Sequence, residues 1–475
     1  MDTPDLFYDE DVSLAKAVLD GDHRAALQRI ETLWSQKGPS PDLMLQAIRS
    51  SWALGQDVQA RKLAQEGVTL WADRAPLWGI YAAILTAFGA VDEAVAAYDR
   101  ALFYAPEDVR LLSGRNRLRR FPSSGREARR LEATCEDEST STRLRVSAEF
   151  ALAAIEDAEG QYDRAFAHYS RGNALKMRGY DPLVTEQRLA DQLEFCPDLA
   201  DLAGAPPAQG PRMVFIGGLP RSGTTLTEQI LLRHDQVSTL GEAPDFRLAI
   251  LDLMRSEQAN GRLVADYWKW FGVPGQPLVR NLEALYRQRI TERRVETPVL
   301  LSKTPLDLSH AGLLRAMLPE ARFIALDRHP LDLGLSLFMT DFANGHGFSE
   351  RLDWIAHMIQ LTDQSMRDYA QKLGPVFRIQ SLQALIDYPE QQIPQLLDHI
   401  GLQMQSACFD PKAAAGAVRT ASDLRVRRGI NRDGVARWRH YEAHLQPLIE
   451  ALGRDWIAEW EERDAQAAPR LNKAS

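Results

Sequence analysis

The spacing of apolar residues changes character near residue 210. Before it the chain reads helical throughout. After it short unbroken apolar runs alternate with amphipathic stretches. Met213-Val-Phe-Ile216 has the length of a buried strand. Gly217 to Gly223 form a turn rich in Gly and Pro, and from Thr224 onward Leu226, Ile230 and Leu231 fall at helical spacing. Val299–Ser302, Arg322–Asp327 and Val376–Ile379 read as further strands. Helices are expected over 313–318, 331–342, 352–372 and 391–400. Residues 244–295 read as amphipathic helix broken at Gly272-Val-Pro-Gly-Gln-Pro277. Strands alternating with helices predict a parallel sheet with right-handed crossovers, so the loops at the strand C-termini share one edge. That edge is where a site is expected.

The helical part carries an internal repeat. Gly21, Gly55 and Gly89 are spaced by 34 residues, and so are Ala26, Ala60 and Ala94. The clearest unit runs from Ala75 to about Glu107, with Trp78, Gly89, Ala94, Tyr98, Ala101 and Pro106 at the small, aromatic and closing positions of a tetratricopeptide repeat. Gly160, Ala165 and Tyr169 repeat the same offsets, whereas Arg115–Arg145 breaks the register. The expected domains are a helical repeat array over 1–200 and an α/β domain over 210–465. Leu202-Ala-Gly-Ala-Pro-Pro-Ala-Gln-Gly-Pro211 is a linker by composition.

Composition narrows the function classes. A chain of 475 residues with 45% hydrophobic and 25% charged residues can bury an ample core. A net charge of −9 argues against an electrostatic nucleic-acid binder. Cys135, Cys196 and Cys408 are few and far apart, which favours a reducing compartment over a disulfide framework. The acidic N-terminus has no apolar signal core, and no run approaches the roughly 20 apolar residues of a membrane span. A cytoplasmic location is expected, with neither nucleic acid nor membrane as partner.

The turn after the first strand carries the chemistry. Strand, glycine-rich loop and helix N-terminus form an anion cradle, because free N–H groups and the helix dipole converge there. Gly218, Gly223 and Thr225 fit the nucleotide pattern G-x-x-x-x-G-K-[ST], but Thr224 stands at the lysine position. That lysine serves the β- and γ-phosphates of a metal-bound triphosphate. A loop without it, carrying Arg221 inside the turn, suits a smaller anion. No carboxylate cluster follows a strand as a magnesium site would require, so no metal is expected.

Pro220-Arg-Ser-Gly-Thr-Thr-Leu226 resembles the 5′-phosphosulfate-binding loop of sulfotransferases, most of all the tyrosylprotein branch and bacterial proteins that join tetratricopeptide repeats to such a domain. The resemblance implies 3′-phosphoadenosine 5′-phosphosulfate (PAPS) as donor, held by Arg221, Ser222, Gly223, Thr224 and Thr225. Arg328-His-Pro-Leu-Asp-Leu-Gly-Leu-Ser336 resembles the segment that grips the 3′-phosphate, where a guanidinium and a hydroxyl suit the ligand. Thr420–Asn431 with Gly434–Trp438 resembles the nucleotide-closing loop, which implies Arg428 as a further phosphate contact, with Arg427 a near competitor. Lys303, followed by Pro305, matches a lysine that stabilises charge near the transferring group.

Sulfuryl transfer to a hydroxyl also needs a base. Gly241-Glu242 stands where the tyrosylprotein enzymes carry Gly-Glu-Glu, but their second Glu is Ala243 here, which leaves Glu242 as the candidate. A histidine base would have to be His310, His329 or His346. Relatives end the fourth strand in Tyr-Glu-x-Leu, and here Ile379-Gln-Ser-Leu382 replaces the tyrosine contact. Trp268, Trp270 and Phe271 could line an acceptor cleft or belong to the core. The acceptor is left open among peptide tyrosine, glycan and small molecule, and the repeats are expected to dock a protein or peptide partner. Two rival readings stand beside the transferase: a repeat scaffold with an inactive nucleotide pocket, and a variant P-loop kinase.

Overall fold

The computed structural model describes residues 11–176, 179–194, 210–259, 277–293, 295–342, 345–411 and 429–467. They fall into two compact units, the first ending at Leu175 and the second beginning at Lys176.

The first unit is helical: α1 Val12–Leu19, α2 His23–Lys37, α3 Pro41–Ala53, α4 Asp57–Leu70, α5 Ala75–Phe88, α6 Val91–Tyr104, α7 Val109–Leu118, α8 Arg126–Glu136, α9 Thr142–Ala158 and α10 Tyr162–Lys176. The regularly spaced glycines sit in the turns of hairpins. Gly21, Gly55, Gly89 and Gly160 separate α1 from α2, α3 from α4, α5 from α6 and α9 from α10, with φ of 71, 77, 79 and 75°. Only glycine adopts that left-handed conformation cheaply. Five residues after each glycine, Ala26, Ala60, Ala94 and Ala165 are fully buried, so a small side chain lets the paired helices approach. α8 occupies the stretch that breaks the repeat and continues through Cys135 to Glu136, past the point where the sequence turns polar.

The second unit opens with α11 Pro182–Glu194, which packs on a long helix of the same unit: Lys372 Nζ donates to the Leu193 carbonyl at 2.7 Å, and His357 Nε2 lies 2.8 Å from Glu186. A five-stranded parallel sheet follows, in the order β2-β3-β1-β4-β5. Its strands are β1 Arg212–Gly217, β2 Val237–Thr239, β3 Val299–Ser302, β4 Arg322–Asp327 and β5 Phe377–Ser381. β2 is absent from the pattern read in the sequence, since three residues are too few to show a period. The helices of this unit continue as α12 Thr224–Leu231, α13 Asp245–Ala259, α14 Pro277–Glu292, α15 Ala311–Met317, α16 Pro330–Phe338, α17 Leu352–Leu373, α18 Leu382–Asp387 and α19 Pro389–His399, then α20 Gln446–Leu452 and α21 Arg454–Ala467. α16 ends at Phe338 rather than Phe342, the N–H groups of Met339 and Thr340 closing it on the Leu335 and Leu337 carbonyls.

Both faces of the sheet are covered by apolar side chains. Phe215, Phe323 and Phe377 stack across three adjacent strands on one face, with centroids 5.6 and 5.9 Å apart. Val214, Ile216, Ile324 and Leu326 fill the other face with Ile393, Leu396 and Leu397 of α19. β1 is the central strand, and the chain proceeds to β3 on one side of it and β4 on the other. The loop leaving β1 therefore lies in the crevice where parallel α/β sheets bind ligands. Among the described residues no helix is long and apolar enough to cross a membrane.

Candidate functional site

The β1–α12 loop is held in shape by its backbone. Gly218 and Gly223 have φ of 130 and 110°, and Arg221 adopts a left-handed φ of 74°. A Cβ on Gly218 would stand 2.7 Å from the Leu326 carbonyl oxygen, and one on Gly223 would meet Leu382 Cδ1 at 2.6 Å. β4 and the start of α18 thus press on the loop from both sides. The first-turn N–H groups of α12 face the loop without partners inside the helix. Ser222 is fully buried, and its hydroxyl has no hydrogen-bond partner among the described residues. A buried orphan hydroxyl beside a helix N-terminus fits a loop that receives an acceptor-rich anion.

Two more predicted residues meet that loop. Arg221 Nε donates to the Ser336 hydroxyl at 3.1 Å. Arg328 Nη1 donates to the Arg221 carbonyl at 2.8 Å and Nη2 to the Gly434 carbonyl at 2.7 Å. Arg221, Arg328 and Ser336 are thereby collected from the ends of β1, β4 and the middle of α16. Asp332, buried on α16, accepts from Ala436 N at 2.7 Å and Trp438 N at 3.0 Å, which fixes the segment carrying Gly434.

A second cluster lies at the ends of β2 and β3. Lys303 is 1% exposed, and its ammonium donates to Glu242 Oε1 at 2.7 Å. It also stands 3.6 Å from Glu228 Oε2 on α12. The Glu242 side chain is 47% exposed, so one of the two carboxylates is open to a ligand and the other is not. Burial pushes the Glu228 carboxyl up, against the opposing pull of Lys303 and of the Thr239 hydroxyl. Sequence reading found Glu242 and Lys303 but missed Glu228. Its signal was a lone carboxylate among Leu226, Ile230 and Leu231, on a helix otherwise built for burial.

Asp327, the last residue of β4, is another group the sequence did not single out. Its carboxyl accepts from Trp460 Nε1 at 3.0 Å and from the Arg328 backbone N–H at 2.9 Å. Burial first, then the nearby Asp363 charge, push it up to about 7.

Three histidines weighed as a base have other surroundings. His310 Nδ1 lies 2.9 Å from the Ser309 hydroxyl, and its ring meets Phe246 edge-on at 5.4 Å. His329 stacks on Trp438 at 5.7 Å, with Nε2 3.0 Å from Glu461. His346 sits against Phe342 at 4.6 Å. At the end of β5, Ile379 is 37% exposed, while Gln380 is buried and bonded to Gln392 at 3.0 Å. Arg427, Arg428, Trp268, Trp270, Phe271 and most of the linker after Leu202 lie outside the described residues.

Residues 211–406 match a family described as "Sulfotransferase family". An uncharacterised protein of Aquifex aeolicus (strain VF5) is 28% identical over 377 residues, 78% of this chain, and the chain spans about half (49%) of that relative's length. Protein-tyrosine sulfotransferase 2 of Gallus gallus is 22% identical over 264 residues, 51% of this chain and 69% of that protein. The sulfotransferase domain of the Synechococcus PCC 7002 olefin synthase aligns with a TM-score of 0.33 at 18% identity, over 50% of this chain and 89% of that one.

Proposed function

Because residues 211–406 form a sulfotransferase-family domain, we propose that the protein transfers a sulfuryl group from PAPS to a hydroxyl acceptor. The observation that supports this most is the meeting of Arg221 with Ser336 at 3.1 Å and of Arg328 with the Arg221 carbonyl at 2.8 Å, around the buried Ser222 hydroxyl. Arg221, Ser222, Gly223, Thr224 and Thr225 would hold the phosphosulfate, and Arg328 and Ser336 the 3′-phosphate, with Arg428 as a further phosphate contact. When bound, the donor supplies the sulfuryl group and a bisphosphate leaving group.

The transfer forms the acceptor O–S bond, breaks the donor S–O bond in line and sends the acceptor proton to Glu242. Its half-exposed carboxylate can reach an incoming hydroxyl. Lys303 and Arg221 present positive charge where negative charge builds, a stabilisation that needs no reorganisation because Lys303 is already buried and bonded. The acceptor is read as a peptide tyrosine, by likeness to the protein-tyrosine relative, and the helical unit as a tetratricopeptide-repeat surface that docks a protein or peptide partner. A cytoplasmic location is proposed on the few, widely spaced cysteines, which suit a reducing compartment.

Thermal stability with 3′-phosphoadenosine 5′-phosphate, the product of the donor, tests the reading. A ligand at about 100 times its dissociation constant adds roughly 2.7 kcal/mol to the native state. Stabilisation by the bisphosphate and not by Mg-ATP, reduced in Arg328→Ala and Ser336→Ala, is expected. A response to Mg-ATP alone would transfer the site to a kinase. Bisphosphate binding with no turnover on any hydroxyl would make the chain a nucleotide-binding scaffold.

A further inference from the structure

The Lys303 ammonium lies between two carboxylates that differ in every respect that matters to a charge. Glu242 is half-exposed on a turn, 2.7 Å from Nζ. Glu228 is 4% exposed inside α12, 3.6 Å from Nζ. A buried ammonium needs a counter-charge, because removing one partner of such a pair leaves the other uncompensated. If Glu242 takes a proton, it stops being that partner at the moment Lys303 is needed as a cation.

The geometry points to Glu228 as a positioning residue for the proposed transfer: it is the standing counter-ion that keeps Lys303 charged and in place while Glu242 holds the acceptor proton. This inference rests on the reading of Glu242 as base and Lys303 as charge stabiliser.

Three further contacts carry it. The Thr239 hydroxyl donates to Glu228 Oε1 at 2.7 Å and accepts from the Gly241 N–H at 2.8 Å. The Lys303 N–H donates to the Gly241 carbonyl at 3.0 Å. The turn that bears Glu242 is therefore tied on one side to Glu228 through Thr239, and on the other to the backbone of Lys303. Gly241 supplies the required left-handed φ of 63° with no atom near a Cβ position. The two carboxylates also answer each other. The Glu242 charge is among the causes that raise the Glu228 carboxyl. Neutralising Glu242 removes that repulsion and favours the ionised form of Glu228. The Glu228 carboxylate, 3.6 Å from the ammonium, then remains as the partner of Lys303, and the only proton moved is the one that passes from the acceptor to Glu242.

Trace acetylation with acetic anhydride, read peptide by peptide by mass spectrometry, tests this on the full chain without a donor or acceptor. Lys62, which is 71% exposed on α4, serves as the internal reference. Glu242→Gln mimics the protonated base. Lys303 is expected to stay protected in that variant, and in the double variant Glu228→Gln/Glu242→Gln its labelling relative to Lys62 should rise. Labelling in Glu242→Gln alone that equals the double variant would overturn the inference, since Glu228 would then contribute nothing. Bisphosphate stabilisation of each variant shows that it is folded. Its absence in the unaltered protein would refute the donor site and leave the labelling result standing, so the two failures are distinguishable.

Discussion

Asp327 sits between the end of a central strand and the arginine that reaches the loop, and its chemistry differs from that of an ordinary carboxylate. Its carboxyl is pushed up to about 7, chiefly by burial. An acid whose folded-state value is raised contributes stability at low pH that is lost as pH rises through the folded value. Burial holds the His399 imidazole down to about 4, which gives the opposite slope, so the Asp327 contribution is read as the difference between wild type and Asp327→Asn in thermal unfolding between pH 5 and 8. Asp327→Asn keeps an oxygen for Trp460 and the Arg328 N–H, and its stability relative to wild type should rise with pH; a constant difference would mean that Asp327 is not the group titrating. Two glycines separate steric from conformational cost. Gly218→Ala drives a methyl to 2.7 Å from the Leu326 carbonyl at a φ of 130°, with an expected loss of about 3 kcal/mol or more in a urea melt. Gly241→Ala, with open space and a φ of 63°, should cost about 1–2 kcal/mol. Arg221, Arg328, Ser336, Lys303 and Glu242 were singled out by the resemblance of their segments to sulfotransferase motifs, and the structure brings Arg221 together with Arg328 and Ser336, and Lys303 with Glu242. Glu228 and Asp327 were not, because a buried carboxylate declares its importance only through neighbours far along the chain.

At the level of elements, apolar runs bounded by turns revealed β1, β3, β4 and β5, each four to six residues long. β2 did not register, although it carries Thr239 and leads directly into the Glu242 turn. α16 shows what spacing conceals. Its sequence is apolar except for Asp332 and Ser336, and the partners of Asp332 lie more than a hundred residues later, at Ala436 and Trp438. Ala436 has a left-handed φ of 58°, a conformation the Asp332 contact helps to hold. Asp332→Ala leaves two N–H groups without their acceptor, a loss of about 1–3 kcal/mol. Faster amide exchange confined to residues 434–438, together with weaker bisphosphate binding, is the expected signature. Unchanged exchange there would show that the segment is held by other contacts.

Across the whole chain, the repeated glycines and alanines made the helical unit readable, because turn and close-packing positions recur at one period. The unit to which each helix belongs was less legible. α11 precedes the compositional linker, yet Leu193 packs against the core of the second unit and Glu186 pairs with His357. A fragment of residues 196–475 should thus unfold at a lower temperature than one of residues 176–475, by roughly 2–4 °C for each kcal/mol of packing lost with α11. Equal melting temperatures would assign α11 no stabilising role. The hairpin turns have a different consequence. Gly21, Gly55 and Gly89 share nearly the same backbone angle, and none has an atom within 4 Å of a Cβ position. They are interchangeable joints: the chain could be cut after Gly55 and rejoined at Ala90 without asking a new shape of the turn. The helical unit is in that sense a ruler with 34-residue graduations, whose length can be altered a division at a time while the chemistry of the sheet edge is left alone.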